Sequence, residues 1–279
     1  MNISMINSLV GMSTLQNKID SIANNLSNIN TTGYKSREVY FHEILTNRLT
    51  QPEQFNLAGR NTALGLDIGY GAKTSLTFGA FSQGPQIDTG IATDLMLTGD
   101  NIFFTILPAN GDGLNDPSQY RYTRDGHFQL DAGRYLVTDN GDFVLDTDGE
   151  PIYVPEGAAF NVDKHGNVIA QYPNGEVEEL NALKVTKVLY PESLEAVGKN
   201  MFRIPEELLA AEIGITDEQF ALTNSSEGFQ VIQGSLEGSN VDLAKEMVQL
   251  NEAQRAYQFL SRGLSISDQM LGIASKLRG

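Results

Sequence analysis

The sequence predicts an α+β protein: long amphipathic helices at both termini, a coiled-coil-like pair, with a β-rich central region of hairpins between them. Two observations predict this, and a third supports it. Apolar residues at both ends recur at alternating steps of three and four, whereas the middle of the chain alternates with a period of two. Charge follows the same division. Residues 1–50 carry a net +1, residues 51–232 a net −17 and residues 233–279 a net of 0, out of a total of −16 over 279 residues. An acidic middle reads as solvated surface, and near-neutral ends can pack closely against like copies.

The first helix rests on Met1, Met5, Met12, Leu15, Ile19, Ile22, Leu26 and Ile29, with Ser8 in the one gap. It is expected to run to Thr31-Thr32 and to close at Gly33, which can take the left-handed conformation. The last helix rests on Leu243, Leu250, Tyr257, Leu264 and Leu271, with Ala253, Leu260 and Ala274 on a companion row and Ser239-Asn240 as N-caps. Further apolar residues, Phe259, Ile266, Met270, Ile273 and Leu277, lie beside that seam. A helix with more than one apolar face wants more than one partner.

Between the helices, strands are expected at Ser75–Phe81, Leu95–Leu97, Ile102–Leu107, His127–Leu130, Tyr135–Thr138, Phe143–Leu145, Ile152–Val154, Val168–Tyr172 and Leu183–Leu189. They are punctuated by the turn pairs Asp125-Gly126, Asn140-Gly141, Asp148-Gly149 and Asn174-Gly175. Residues 206–212, EELLAAE, fit a short helix or a loop equally. In domain terms, 1–32 with 239–279 form a terminal helical core, 33–80 with 225–238 connect, and 81–224 form the outer β domain.

The chemistry is sparse. No cysteine is present, so disulfides, thiolate metal sites and cysteine nucleophiles are excluded. His42, His127 and His165 stand in no zinc spacing and beside no serine elbow. Residues 65–74, GLDIGYGAKT, have the flavour of a phosphate loop, but Ala72 breaks the Gly-Lys pair and a strand pattern follows. Asp146-Thr147-Asp148-Gly149-Glu150 resembles the start of a calcium loop, yet Gly157 stands where the twelfth-position Glu belongs, and a hairpin turn explains it better. No enzyme, no cofactor and no metal site are expected. The acidic balance argues against nucleic-acid binding. No run of apolar residues is long enough to span a bilayer, and the N-terminus lacks a cleavable secretory signal.

Three segments carry a resemblance to a known family. ANNLSNINTTGYK at 23–35 resembles the N-terminal signature of the bacterial flagellar rod and hook proteins. QGSLEGSNVDL at 233–243, followed by Glu246-Met247-Val248 and Ala253-Gln254-Arg255-Ala256-Tyr257, is similar to their C-terminal signature. Tyr122-Thr123-Arg124-Asp125-Gly126 with Phe128, Leu136-Val137-Thr138 and Val144-Leu145 resembles their β-domain motif. Residues 46–64, leading into Gly65–Gly71, look like the segment that distinguishes the distal-rod type from the flexible hook protein. Where the family commonly reads Gly-Asp-Gly-Phe-Phe, this chain has Gly99-Asp100-Asn101-Ile102-Phe103-Phe104. Asn101 is expected to take a positive φ there.

The resemblance implies a structural subunit of the flagellar basal-body rod, exported uncleaved by the flagellar type III apparatus and polymerising into a hollow helical tube that transmits torque. Implied partners are copies of itself, neighbouring rod and hook proteins and the export apparatus, outside the cytoplasm and without membrane insertion. The alternatives are a hook or proximal-rod subunit or, from another class, a secreted β-rich adhesin or calcium-binding module. The expected assembly surface comprises Leu15, Ile19, Ile22, Asn24, Asn25, Leu26, Asn28, Ile29, Gly33 and Tyr34 from the N-terminal side. From the C-terminal side it comprises Leu236, Glu237, Ser239, Asn240, Val241, Leu243, Met247, Leu250, Gln254, Arg255, Tyr257, Leu264 and Leu271. Asn24, Asn25 and Asn28 crowd a helix end, where amides are weak helix formers but can both donate and accept to neighbouring backbones, so they are expected to punish wrong subunit registers.

Overall fold

The computed structural model describes residues 3–43, 46–49, 66–69, 72–109, 119–188, 191–205 and 229–278. The chain divides into two compact units, 1–27 with 37–78 and 242–279, and 28–36 with 79–241.

The first unit is helical. α1 spans Ile3–Ser27 and α2 spans Leu243–Arg278. An added Cβ on Gly11 would lie 2.9 Å from Leu260 Cδ1, and Asn25 bonds Glu246, so the two helices run antiparallel. Four strands accompany them: β1 (Arg37–Glu43), β2 (Thr46–Leu49), β3 (Leu66–Gly69) and β4 (Ala72–Gly79), paired β1 with β4 and β2 with β3. Of residues 65–74, the described ones lie in strands, 66–69 in β3 and 72–74 in β4, where a phosphate loop needs a helix to start. The segment 206–212 and most of 46–64 lie outside the described residues.

Both helix ends differ from expectation. α1 stops at Ser27, because the run of Asn, Ser and Thr offers turn bonds instead: Thr31 N donates to Asn28 O and Thr31 Oγ1 to Asn28 Oδ1. Gly33 does adopt a left-handed φ of 65°, but beyond that turn. The cap of α2 is Asp242, not Ser239-Asn240. Its Oδ1 accepts from Ala244 N at 2.9 Å and Lys245 N at 3.2 Å.

The second unit is β-rich. Its strands are β5 (Gln86–Asp88), β6 (Leu95–Thr98), β7 (Ile102–Leu107), β8 (Arg121–Thr123), β9 (Phe128–Leu130), β10 (Leu136–Thr138), β11 (Phe143–Val144), β12 (Ala159–Val162), β13 (Asn167–Gln171) and β14 (Val177–Ala182). They continue with β15 (Val185–Lys187), β16 (Glu195–Gly198), β17 (Met201–Arg203), β18 (Gln230–Gln233) and β19 (Ser235–Glu237). An eight-stranded sheet runs β16-β17-β8-β7-β11-β10-β9, with β15 also pairing β7; β12-β13-β14 form a second sheet, and β18 pairs β6 and β19 pairs β5. Ile152–Val154 contributes one isolated bridge, Tyr153 to Tyr135, rather than a strand.

β7 explains the core. It reads Ile-Phe-Phe-Thr-Ile-Leu without alternation and is buried throughout. Ile102, Phe104 and Ile106 enter one cluster with Leu95, Phe128 and Leu136; Phe103 and Leu107 enter another with Tyr122, Leu145 and Val188. A strand covered on both faces needs apolar residues at every step. The one hydroxyl among them, on Thr105, is satisfied by Thr186 at 2.8 Å.

Three of the expected turns hold their glycines at positive φ: Gly141 at 84°, Gly149 at 84° and Gly175 at 87°. Asn101 takes φ 59°, as expected. Asp125-Gly126 is no turn. A Cβ on Gly126 would meet the Leu95 carbonyl oxygen at 1.6 Å, so this glycine is a crossing point of two backbones.

Candidate assembly site

In the helical unit, the seam of α2 that packs inward is Glu246, Leu250, Ala253, Tyr257, Leu260, Leu264 and Ser267, at alternating steps of four and three, each buried or half-buried. The companion row, extended to Glu246 and Ser267, is the more deeply buried; Leu243 and Leu271 at the ends of the expected row are exposed. Among the described side chains of α1, Thr14, Ile22 and Asn25 are buried and Leu15, Ile19 and Leu26 half-buried; Ile29, in the turn beyond the helix, is half-buried too. Gly11 meets Leu260 closely at one end of the helix pair, and at the other end Asn25 is buried between Arg37 and Glu246.

α2 also carries a second seam. Phe259, Ile266, Met270 and Ile273, with Gly263 between the first two, again step by four and three, and they are 76%, 55%, 57% and 60% exposed. Near the start of the helix, Met247 and Val248 are exposed as well. Large apolar side chains aligned on one exposed helix face form the kind of surface that proteins bury against a partner. None of these four residues was among the expected interface positions, although their spacing is legible in the sequence.

Asn25 answers the question raised by the asparagine-rich helix end. Its Nδ2 donates to Arg37 O at 3.0 Å and its Oδ1 accepts from Arg37 N at 2.9 Å, a two-point match to one residue's backbone. Nδ2 also reaches Glu246 Oε1 at 3.1 Å, and Ser21 Oγ donates to the same Arg37 carbonyl. Asn25 thus serves a backbone with both its donor and its acceptor, and this backbone is in its own chain, where it fastens β1 to the two helices. Asn24 is exposed, and Asn28 bonds Thr31.

In the β unit, Gly33, Tyr34, Leu236, Glu237 and Ser239 are buried in their own chain. Glu237 is the hub. Its Oε1 accepts from Lys35 Nζ at 2.6 Å and from Gly84 N at 2.8 Å, and its Oε2 from Arg124 Nη1 at 3.1 Å. All three ionic side chains are only 1% exposed. Lys35 also donates to Ser82 O, and Arg124 to Leu97 O and Gly99 O. Burial pulls the Lys35 ammonium below its ordinary value and Glu237 opposes this. Asn240 accepts from Ser36 N at 2.7 Å and donates to Ala80 O at 2.6 Å. Of the expected interface residues, Asn24, Leu243, Met247, Gln254, Arg255 and Leu271 are exposed; Asn240, Val241, Leu250, Tyr257 and Leu264 are half-buried.

The remaining polar clusters are structural. His127 Nδ1 lies 2.8 Å from Asp94 Oδ1, and Thr89 Oγ1 donates to the other Asp94 oxygen. The hydroxyl thus meets the carboxylate rather than the imidazole, which leaves no nucleophile–base pair. Asp146 Oδ1 accepts from the Asp148 and Glu150 amides, and Asn181 bridges Asp146 and Asp148, so these carboxylates hold a turn. Among the described residues no group of three His, Cys, Asp or Glu could hold a metal ion, and no helix is long and apolar enough to cross a membrane.

An exposed apolar seam on the helical unit and a β unit stitched by buried charges are what a protein built for assembly presents. Comparison with known proteins specifies the class. Residues 7–35 match the flagella basal body rod protein model, 98–170 the flagellar hook protein FlgE/F/G D1 domain, and 232–277 the flagellar basal body rod FlgEFG protein C-terminal domain. The chain is 36% identical to flagellar basal-body rod protein FlgG of Borreliella burgdorferi, over 96% of each chain. It is 34% identical to the FlgG of Agrobacterium fabrum over 95% of each, and 33% identical to flagellar hook-basal body complex protein FlhP of Bacillus subtilis over 99% of each. The chain belongs to the flagellar basal-body rod protein family and is a structural subunit of the basal-body rod.

Proposed function

We propose that this subunit builds the distal part of the rod by polymerising with copies of itself, the outer seam of α2 packing against the helical unit of a neighbouring copy. The observation that carries the reading is that seam: Phe259, Ile266, Met270 and Ile273 are exposed while the inner seam is occupied by α1. Burying a large apolar side chain contributes roughly 1.5–3 kcal/mol. A head-to-tail contact that does not close into a ring extends as a helical filament. A tube of such copies, delivered outside the cytoplasm by the flagellar export apparatus and joined to neighbouring rod and hook proteins, would transmit torque through these contacts.

Ile266→Asp tests this. The monomer is expected to unfold at the same denaturant concentration as wild type, while cells carrying the variant lose the distal rod and swimming. Normal basal bodies in that variant would sink the proposed face. The similarity to a protein named for the hook–basal body complex favours a second reading, another axial position in the same structure. Deleting residues 46–64 separates the two: a distal-rod role predicts a shaft that fails or bends, and another position leaves the distal shaft intact.

A further inference from the structure

The β unit is assembled from chain segments that lie far apart in sequence, and one late residue joins them. Lys35 arrives with the segment after α1, Arg124 with the strand β8 region, and Glu237 with β19. The single carboxylate of Glu237 lies between the two cations, at 2.6 Å from one and 3.1 Å from the other, with the site only 1% exposed. The backbone follows the same plan. Gly33 N donates to Glu237 O at 2.8 Å, Gly238 N to Pro85 O at 2.8 Å, and a Cβ on Gly84 would strike Gly238 O at 1.9 Å. The late segment also supplies core: Phe229 and Val231 belong to the cluster around Phe104 and Phe128.

We infer that Glu237 is the closing element of the β unit: until it arrives, Lys35 and Arg124 cannot be buried together, so the body stays open until almost the whole chain is available. The physical reason is electrostatic. Two cations removed from water into one site repel each other and lose their hydration, and only an anion between them offsets both costs. The apolar cluster around Phe104 and Phe128 needs Phe229 and Val231 from the same late segment, so neither it nor the charged site is complete before that segment has docked. A chain made or threaded from its N-terminus would thus carry an incompletely folded β unit for most of its emergence. This inference does not depend on how copies assemble.

Two experiments on the full-length chain test it. In refolding from denaturant followed by pulse-labelled hydrogen exchange, amides of β6, β7 and β8 are expected to gain protection in the same phase as those of β19. Protection of β6–β8 in a separate, earlier phase would overturn the inference. Glu237→Gln, which keeps the shape but leaves the two buried cations with only the weaker field of the Asp100 carboxylate, should lower the folding equilibrium constant of the β unit by on the order of a hundredfold or more. Adding Lys35→Met to that variant removes one cation and should restore at least about tenfold. A double variant no more stable than Glu237→Gln alone would show that the residue acts by shape and not as the charge that seals the site. Should Glu237→Gln not fold, the pulse-labelling result on the native chain stands by itself.

Discussion

The helical unit and the β unit place their apolar and charged side chains in opposite ways. In the β unit, phenylalanines 103, 104 and 128 are inaccessible, and three charges are buried with partners. In the helical unit, Phe259 stands in solvent while polar Thr14, Asn25, Glu246 and Ser267 occupy the inner seam. The β unit pairs its buried charges and covers its core phenylalanines within one chain, although Ile87, Ile91 and Val177 stay exposed on it. The helical unit keeps its packing modest inside and leaves its larger apolar groups outside, which is what a part completed by neighbours requires.

The contrast can be broken most forcefully in the β core. Phe104→Ala should cost about 3–5 kcal/mol, read from the denaturation midpoint of the β unit, because Phe104 packs edge-to-face on Phe128 at 5.1 Å in a site with no room to collapse. A loss under 1 kcal/mol would mean that the core is loosely packed. Asn25→Ala comes next. Leaving both polar groups of Arg37 without their amide partner should cost about 1–3 kcal/mol and speed exchange of the Arg37 amide. Unchanged exchange there would return Asn25 to the role of a surface group. Asp242→Ala should cost about 1 kcal/mol and reduce helicity in circular dichroism by loss of the first turn of α2, with the β unit unaffected.

The smallest effect is electrostatic. Burial disfavours the charged His127 ring, but its bond to Asp94 and the nearby carboxylates of Asp94, Asp139 and Asp125 outweigh this and raise its pKa. The folded state therefore binds the proton more tightly than the unfolded chain does. Its contribution is fully present below the ordinary imidazole value of about 6.5 and is lost as pH rises through the raised one. The stability difference between wild type and His127→Gln should be largest in mild acid and should shrink above neutrality. A difference that grows with pH would reverse the assignment.

What the sequence disclosed follows the same division. The terminal helices were legible because their seams repeat over many turns, and β7 was legible because five apolar residues in a run of six, broken only by Thr105, fit a strand covered on both faces. Strands such as β14, Val-Glu-Glu-Leu-Asn-Ala, and β16, Glu-Ala-Val-Gly, were not, since exposed strands lack alternation and carry helix-tolerant residues. β1 and β8 hid for a related reason: each adjoins a motif rich in charge. On α1 the expected row holds at Ile22, but apolar periodicity ignores the buried Thr14 and Asn25, the latter held by Arg37. Lys35 and Glu237 lie 202 positions apart, and no local pattern announces that one will neutralise the other. The outer seam was visible as extra apolar residues, but only the structure distinguishes it from the inner one.

Gly126 carries a consequence for how this sequence can vary. Its hydrogen faces a carbonyl oxygen at a separation that no methyl group could occupy. A saturating library at this position should return a single survivor, whatever the selection, whereas Asn140-Gly141, at an open hairpin tip, should tolerate asparagine and aspartate in place of glycine. Two dipeptides that look alike on paper would leave opposite signatures in such a screen. The Arg-Asp-Gly triplet would then act as a gauge of clearance between crossing chains, useful for deciding whether a distant sequence shares this body even where every side chain around it has changed.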